Sequence, residues 1–239
     1  KESFWYTYIQ TLPADYKNVP IFFEPEEMAL LKGSFSVDKV EERIESLRRE
    51  YENICAHVPE MKQFTHKEFV WARLVVITRI FGLVINGIKT DGLVPMADML
   101  NHKRPRETKW TYDDPRQALV ITSLMPLTRG DQVFDSYGRK CNSRFFVNYG
   151  FSLEDNEDNE ALFKIELPAN DHLFDMKKRM MGHASHRRNF QAPMSYGEKK
   201  TKDMFAYARF VCAQDAELMP MVGHSGVLSL DMIGAISIR

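Results

Sequence analysis

Two stretches hold residues whose types and spacing could do chemistry. In "VPMADMLNHKRP", residues 94–105, an apolar run around Asp98 ends abruptly at Asn101-His102. Further on, "GDQVFDSYGRKCNSRFFVNYGF", residues 130–151, holds two Tyr-Gly pairs. The Asn101 amide offers two donors and an acceptor, and a neutral His102 offers one of each. Beside an apolar wall they could hold the polar ends of a small molecule, such as an amine or an adenine edge. Tyr137 follows an apolar-alternating segment and precedes Gly138, where backbone can approach a ligand closely. Its hydroxyl could orient a nucleophile. Each feature also has a purely structural reading. Asn101-His102 can be a hydrogen-bonded loop pair, Tyr137-Gly138 packing plus a turn, and Tyr149-Gly150 a helix C-cap.

The elements that must position these residues are legible as texture. "SFWYTYIQTLP" is aromatic-rich and closes on Pro13. "EPEEMALLKG" reads as a helix, with Pro25 and acids at its start and Gly33 at its end. Residues 36–53 place apolar residues three and four apart amid dense charge, which predicts an exposed amphipathic helix. "THKEFVWARLVVITRIFG" predicts a helix buried on most of its surface, with Thr65 and Glu68 as a capping box and Gly82 as its stop. From 90 to 167 the segments shorten: "GLVPM", "ALVITSLM", "DQVFDSY" and "ALFKIEL" read as strands. "NHKRPRETKWTYDDPR" between them reads as a long polar loop. Helical texture returns from 168, in "NDHLFDMKKRMMG" and "KKTKDMFAYARFVCAQDAELMPM", with residues 184–197 as loop. The chain closes in a helix-like "SLDMIGAISIR", as a piece of a longer protein would.

Bulk properties exclude several classes. The 239 residues are 44% apolar and 27% charged, ample for a core. A net charge of −1 gives no basic field for nucleic acid. Cys55, Cys141 and Cys212 are scattered and no CxxC occurs, so neither a disulfide framework nor a metal site is expected. No apolar run reaches membrane-span length and no signal peptide is visible. The expected location is cytoplasmic or nuclear, and the expected state a monomer.

Taken in order, Tyr8-Ile-Gln-Thr-Leu-Pro13, "VITRIF", "DGLVPMADMLNH" and "GDQVFDSYG…CNSRFFVNYGF" resemble the SET-domain methyltransferases of the Rubisco large-subunit methyltransferase-like class. That class includes protein-lysine enzymes and an actin-histidine enzyme. The resemblance spans nearly the whole chain and is most specific over 66–151. "SFWYTYIQTLP" followed by "FFEPEE" is particularly similar to the actin-histidine branch. The fold implied is α+β: a core of short strands with a pseudo-knot and a helical insertion, then the start of an all-helical domain. Residues 1–167 would form the SET domain, with 1–90 mostly helical insertion and 91–167 the cofactor-binding and catalytic half. Residues 168–239 would begin a helical substrate-binding domain. The first SET strands, with their Gly-rich turn, are not found.

By position, the resemblance implies roles. Asn101 and His102 match the Asn-His that binds S-adenosylmethionine. Arg79 matches the arginine that meets the cofactor carboxylate, a task its planar fork suits. Backbone around Thr78 and Asp98 matches the carbonyl ring around the transferring methyl, and Asp98 is counted with both the cofactor and the substrate residues. Tyr137 matches the catalytic tyrosine. Tyr149 and Phe151 match the aromatic end of the motif, lining the acceptor channel and stacking on adenine. Trp110 and Tyr112 lie where the class supplies substrate-facing aromatics. The partner expected is a protein presenting a lysine or histidine; neither nucleic acid nor membrane is expected.

Methyl transfer from a sulfonium to an amine is an in-line displacement that needs a neutral amine, and free lysine has a pKa of about 10.4. A narrow aromatic channel and the sulfonium's charge both disfavour the ammonium. Positioning then does most of the work, with weak C–H···O contacts to the methyl and aromatic faces for the methylammonium product. In the histidine-methylating relative, the residue two after the arginine is an Asn that can bond an imidazole. Here it is Phe81, as in lysine-directed members, which favours lysine. Histidine methylation and a non-catalytic, partner-binding SET protein are the alternatives. Four other features read as structural: "KRPRETK" (103–109) as a solvated loop, "MKKRMM" (176–181) as an exposed helix face over packed Met, His183, His186, Arg187 and Arg188 as a flexible basic loop, and Cys141 as a buried thiol.

Overall fold

The computed structural model describes residues 3–181, 187–193 and 199–218. His183, His186 and the closing "SLDMIGAISIR" lie outside them, as do the side chains of Arg187 and Arg188. The fold is α+β, in two compact units, Lys1–Leu153 and Glu154–Arg239.

The first unit begins with helices: α1 (Tyr6–Ile9), α2 (Pro25–Ala29), α3 (Ser36–His57) and α4 (His66–Arg79). In α2, Glu24 and Glu27 cap each other's backbone reciprocally, and Pro25 sits where a missing N–H costs nothing. α3 runs four residues beyond the predicted 53, and buries Val40, Leu47 and Cys55. α4 opens on the predicted capping box: Glu68 N donates to Thr65 Oγ1 at 3.2 Å, and Thr65 N donates to Glu68 Oε2 at 2.7 Å. Phe69, Val70, Leu74 and Val75 of α4 meet Leu47 of α3 with Tyr16 and Val19 in one core.

β1 (Ile80–Ile85) leaves α4 directly and pairs antiparallel with β2 (Ile88–Leu93). Gly82 is therefore a strand residue opposite Asp91, not the helix stop. The helix ends at Arg79 because Ile80 is extended, at φ −72 and ψ 138. The predicted strand at 92–96 is also displaced toward the N-terminus. Asn86 and Gly87 both have positive φ and make the tight hairpin turn.

β3 (Asn101–His102) pairs in parallel with β6 (Phe134–Asp135), and β4 (Thr108–Asp113) antiparallel with β5 (Ala118–Ser123). Half of the expected polar loop is thus strand. Alternation supplies the reason: Thr108 is buried and Trp110 and Tyr112 half-buried on one face, while Lys109 and Thr111 are exposed on the other. α5 (Asn142–Tyr149) closes the unit.

Gly150 caps α5 in the left-handed region, at φ 77 and ψ 22, as the C-cap reading expects. A Cβ there would lie 2.6 Å from the Asn18 carbonyl oxygen. Gly150→Ala is expected to destabilise the protein by about 1–3 kcal/mol, read as a lower denaturant midpoint at unchanged slope. An unchanged midpoint would contradict this close approach.

In the second unit, β7 (Glu160–Glu166) pairs antiparallel with β8 (Arg187–Pro193), followed by α7 (Lys199–Cys212) and α8 (Asp215–Leu218); α6 (Phe174–Met180) lies between the strands in sequence. β8 falls in the expected loop 184–197, and its pairing with β7 overrides its charged, proline-ended sequence. Met180 and Met181 are buried as expected with Tyr207 and Phe210, but Lys177 is buried as well. Its ammonium is not on an exposed face; it meets Asp171 Oδ2 at 2.6 Å and the Val211 carbonyl at 2.7 Å, which offset its desolvation.

Candidate active site

The end of α4, the start of β1 and residues 97–100 and 135–140 surround a cavity of about 360 Å³. Thr78, Arg79, Phe81, Asp98, Trp110, Tyr137 and Tyr149 all line it, so seven of the residues singled out in the sequence converge.

Arg79 and Asp98 form its charged wall. Arg79 Nη1 donates to Asp98 Oδ2 at 3.0 Å and to the Asp98 carbonyl at 3.2 Å. The Asp98 side chain is fully buried and that of Arg79 is 15% exposed. Burial opposes the guanidinium's charge, but the hydrogen-bonded Asp98 carboxylate and the nearby Tyr16 hydroxyl outweigh burial and hold its pKa above the ordinary value. Two buried polar atoms of this pair have no hydrogen-bond partner among the described residues: the donor Arg79 Nε and the acceptor Asp98 Oδ1.

Tyr137 is fixed at both ends. Its N–H donates to His102 Nδ1 at 2.9 Å, and its hydroxyl donates to the Leu100 carbonyl at 2.9 Å. Its ring stacks on Tyr149 at 5.2 Å. Behind it, the Phe145 ring stacks on Phe151 at 5.1 Å and lies 4.7 Å from that of His102. Burial, then the neighbouring Tyr149, push the Tyr137 hydroxyl above the ordinary phenol range; burial does the same to Tyr149. Tyr137 is therefore a hydrogen-bonding hydroxyl at neutral pH and not a phenolate base. Opposite, the buried Phe81 ring meets Trp110 edge-on at 5.3 Å, an apolar wall.

Four of the singled-out residues stand outside the lining. His102 and Phe151 belong to the aromatic layer behind Tyr137. Asn101 is exposed. Tyr112 hydrogen-bonds Gln117 across its hairpin at 3.4 Å. Conversely, Tyr8, Arg106, Asp135 and Lys140 carry no site role in the sequence reading. Tyr8 donates to Asp98 Oδ2 at 2.7 Å from 90 residues away. Arg106 lies within the polar 103–109 run and lines the cavity, as do Asp135 and Lys140. Asp135 is buried, and desolvation raises its carboxyl. Lys140 Nζ donates to the Tyr137 carbonyl, and burial, then Arg144, lower its pKa. The spacing of Lys140 three residues after Tyr137 was the available signal.

Among the described residues no group of His, Cys, Asp and Glu is arranged for a metal, and no helix is long and apolar enough to cross a membrane. Cys141 is buried, as expected, with Sγ 3.1 Å from Ser143 Oγ.

No protein-family profile matches the chain. The SET domain of LSMT bound to lysine and AdoHcy matches it with a TM-score of 0.72 at 20% identity, over 98% of this chain and 55% of that one. Rubisco LSMT bound to AdoMet matches with a TM-score of 0.70 at 21% identity, over 96% and 53%. The fold is thus the SET-domain fold, in the form seen in Rubisco LSMT. In sequence the chain is similar to actin-histidine N-methyltransferase of Rattus norvegicus, 27% identical over 251 residues that cover 97% of this chain and 41% of the relative. It is also similar to ribosomal lysine N-methyltransferase set10 of Schizosaccharomyces pombe, 29% identical over 171 residues, 70% of this chain and 31% of the relative. The chain therefore spans well under half the length of these curated relatives.

Proposed function

We propose that the protein is an S-adenosylmethionine-dependent protein methyltransferase that modifies a lysine side chain. The observation that carries this reading is the convergence of Arg79, Asp98, Phe81, Tyr137 and Tyr149 on one cavity. The donor set suits the cofactor. Its amino-acid end is a zwitterion, and Arg79 Nε and Asp98 Oδ1 are a buried donor and a buried acceptor with no partner among the described residues. Arg79 would hold the carboxylate and Asp98 the ammonium, with the aromatic layer of Phe145, His102 and Phe151 beside the adenine. When bound, the cofactor supplies an electrophilic methyl group on a sulfonium.

The chain's own residues do the rest. The apolar wall of Phe81 and Trp110, with Tyr149, strips water from the acceptor and lowers its affinity for a proton. Because the Tyr137 hydroxyl donates its hydrogen bond to the Leu100 carbonyl, its oxygen lone pairs are left to accept from the amine N–H and aim the nitrogen lone pair. The acceptor's proton leaves to solvent beforehand, since a buried phenol is a poor base. The part of the chain from about 168 would dock the substrate protein, a role that rests on the resemblance alone.

Lysine is favoured over histidine because Phe81 offers no polar atom to an imidazole nitrogen. A histidine acceptor is the second reading, supported by the similarity to the actin-histidine enzymes. The test is a pair of peptides differing only in a lysine or histidine acceptor, presented in the sequence of an identified substrate. The protein is expected to modify the lysine peptide, and Phe81→Asn to shift use toward histidine. Preference for histidine by the unsubstituted protein would overturn the lysine assignment and leave methyl transfer standing.

A further inference from the structure

We propose that Tyr8 is a positioning residue of this site, holding the Asp98 carboxylate so that its second oxygen stays available to the cofactor's α-ammonium group. The inference rests on the cofactor reading above. Tyr8 Oη and Arg79 Nη1 both donate to the same oxygen, Asp98 Oδ2, at 2.7 and 3.0 Å. The other oxygen, Oδ1, and the neighbouring donor Arg79 Nε are buried without a partner among the described residues.

That division is unusual, because a carboxylate beside a guanidinium favours the fork-to-fork arrangement in which both oxygens and two nitrogens pair. A turn of the Asp98 carboxylate about its soft terminal torsion would let its two oxygens pair with Nη1 and Nη2 of Arg79. Doing so would consume the acceptor that suits the α-ammonium. The Tyr8 hydroxyl opposes that turn by binding Oδ2 from the opposite element. Burial, then the bond to Asp98, raise its pKa well above the ordinary phenol range, so it remains a donor. Tyr8 lines an apolar groove with Trp5, Ile9 and Leu12 on one side and Trp71, Val75 and Val76 of α4 on the other. A residue at the chain's beginning thereby sets a rotamer 90 positions away.

The test uses two ligands measured by titration calorimetry: S-adenosylhomocysteine and its analogue lacking the α-amino group. In Tyr8→Phe the ring stays in its groove and only the hydroxyl is lost. Affinity for S-adenosylhomocysteine should fall about tenfold, as for loss of a hydrogen bond to a charged group. Affinity for the des-amino analogue should change by less than about twofold. Equal weakening of both ligands, or of neither, overturns the inference and leaves the cofactor reading intact. Failure of the unsubstituted protein to bind either ligand overturns both.

Discussion

Tyr137→Phe is expected to lower the turnover number by about 10²-fold or more while leaving affinity for S-adenosylhomocysteine nearly unchanged. The substitution removes one oxygen. The ring stays stacked on Tyr149, and the backbone N–H still bonds His102 Nδ1. What disappears is the hydroxyl bridging the Leu100 carbonyl and the acceptor nitrogen. Proton transfer should not be the lost function, because burial holds Tyr137 protonated across the working range. With its pKa raised from the ordinary phenol value, the Tyr137 hydroxyl stays protonated near neutral pH. The rate should rise with pH as the acceptor amine loses its proton, in both the unsubstituted protein and the variant. A variant with unchanged turnover would remove Tyr137 from the reaction; one that lost cofactor affinity equally would make its role structural.

Asp98→Ala should be the most damaging single change to the fold around the cavity. It leaves the Arg79 guanidinium buried without its carboxylate, a situation that costs about 3–5 kcal/mol. The pair is held at 3.0 Å with the carboxylate fully buried, so little solvent screens it. The double variant Arg79→Met with Asp98→Leu should recover most of that stability, because apolar replacement of both partners is often neutral. It should not recover cofactor affinity, which depends on the charges themselves. Urea unfolding of the three proteins separates the two effects. A loss below about 1 kcal/mol in Asp98→Ala would place the pair among solvated surface bridges.

Local signals accounted for much of the first unit. Thr65 and Glu68 announced α4, and the short apolar run within residues 118–125 announced β5, because capping and β-propensity are decided by neighbours in sequence. Ile80-Phe81 resumed the apolar pattern of α4 directly after Thr78-Arg79, which hid the start of β1. The Asn86-Gly87 turn that defines its hairpin was readable and passed over. β4 was hidden by its flanking prolines, and β8 by its arginines; each is fixed by a partner strand, β5 or β7, that no local pattern names. The site followed the same division. Motif order identified Arg79, Asp98 and Tyr137, which the fold brings to one cavity. Tyr8 could be tied to Asp98 only once α1 and the turn at Ala97–Met99 were placed in space.

The most direct test of the central claim supplies the protein with isotope-labelled S-adenosylmethionine and a cell lysate, with Tyr137→Phe as the control, and maps the label by mass spectrometry. The predicted result is label on a lysine side chain of a protein in the lysate, lost in the control. Label of equal intensity with the control, or no label from a protein that binds the cofactor and folds, would contradict methyl transfer at the Tyr137 cavity.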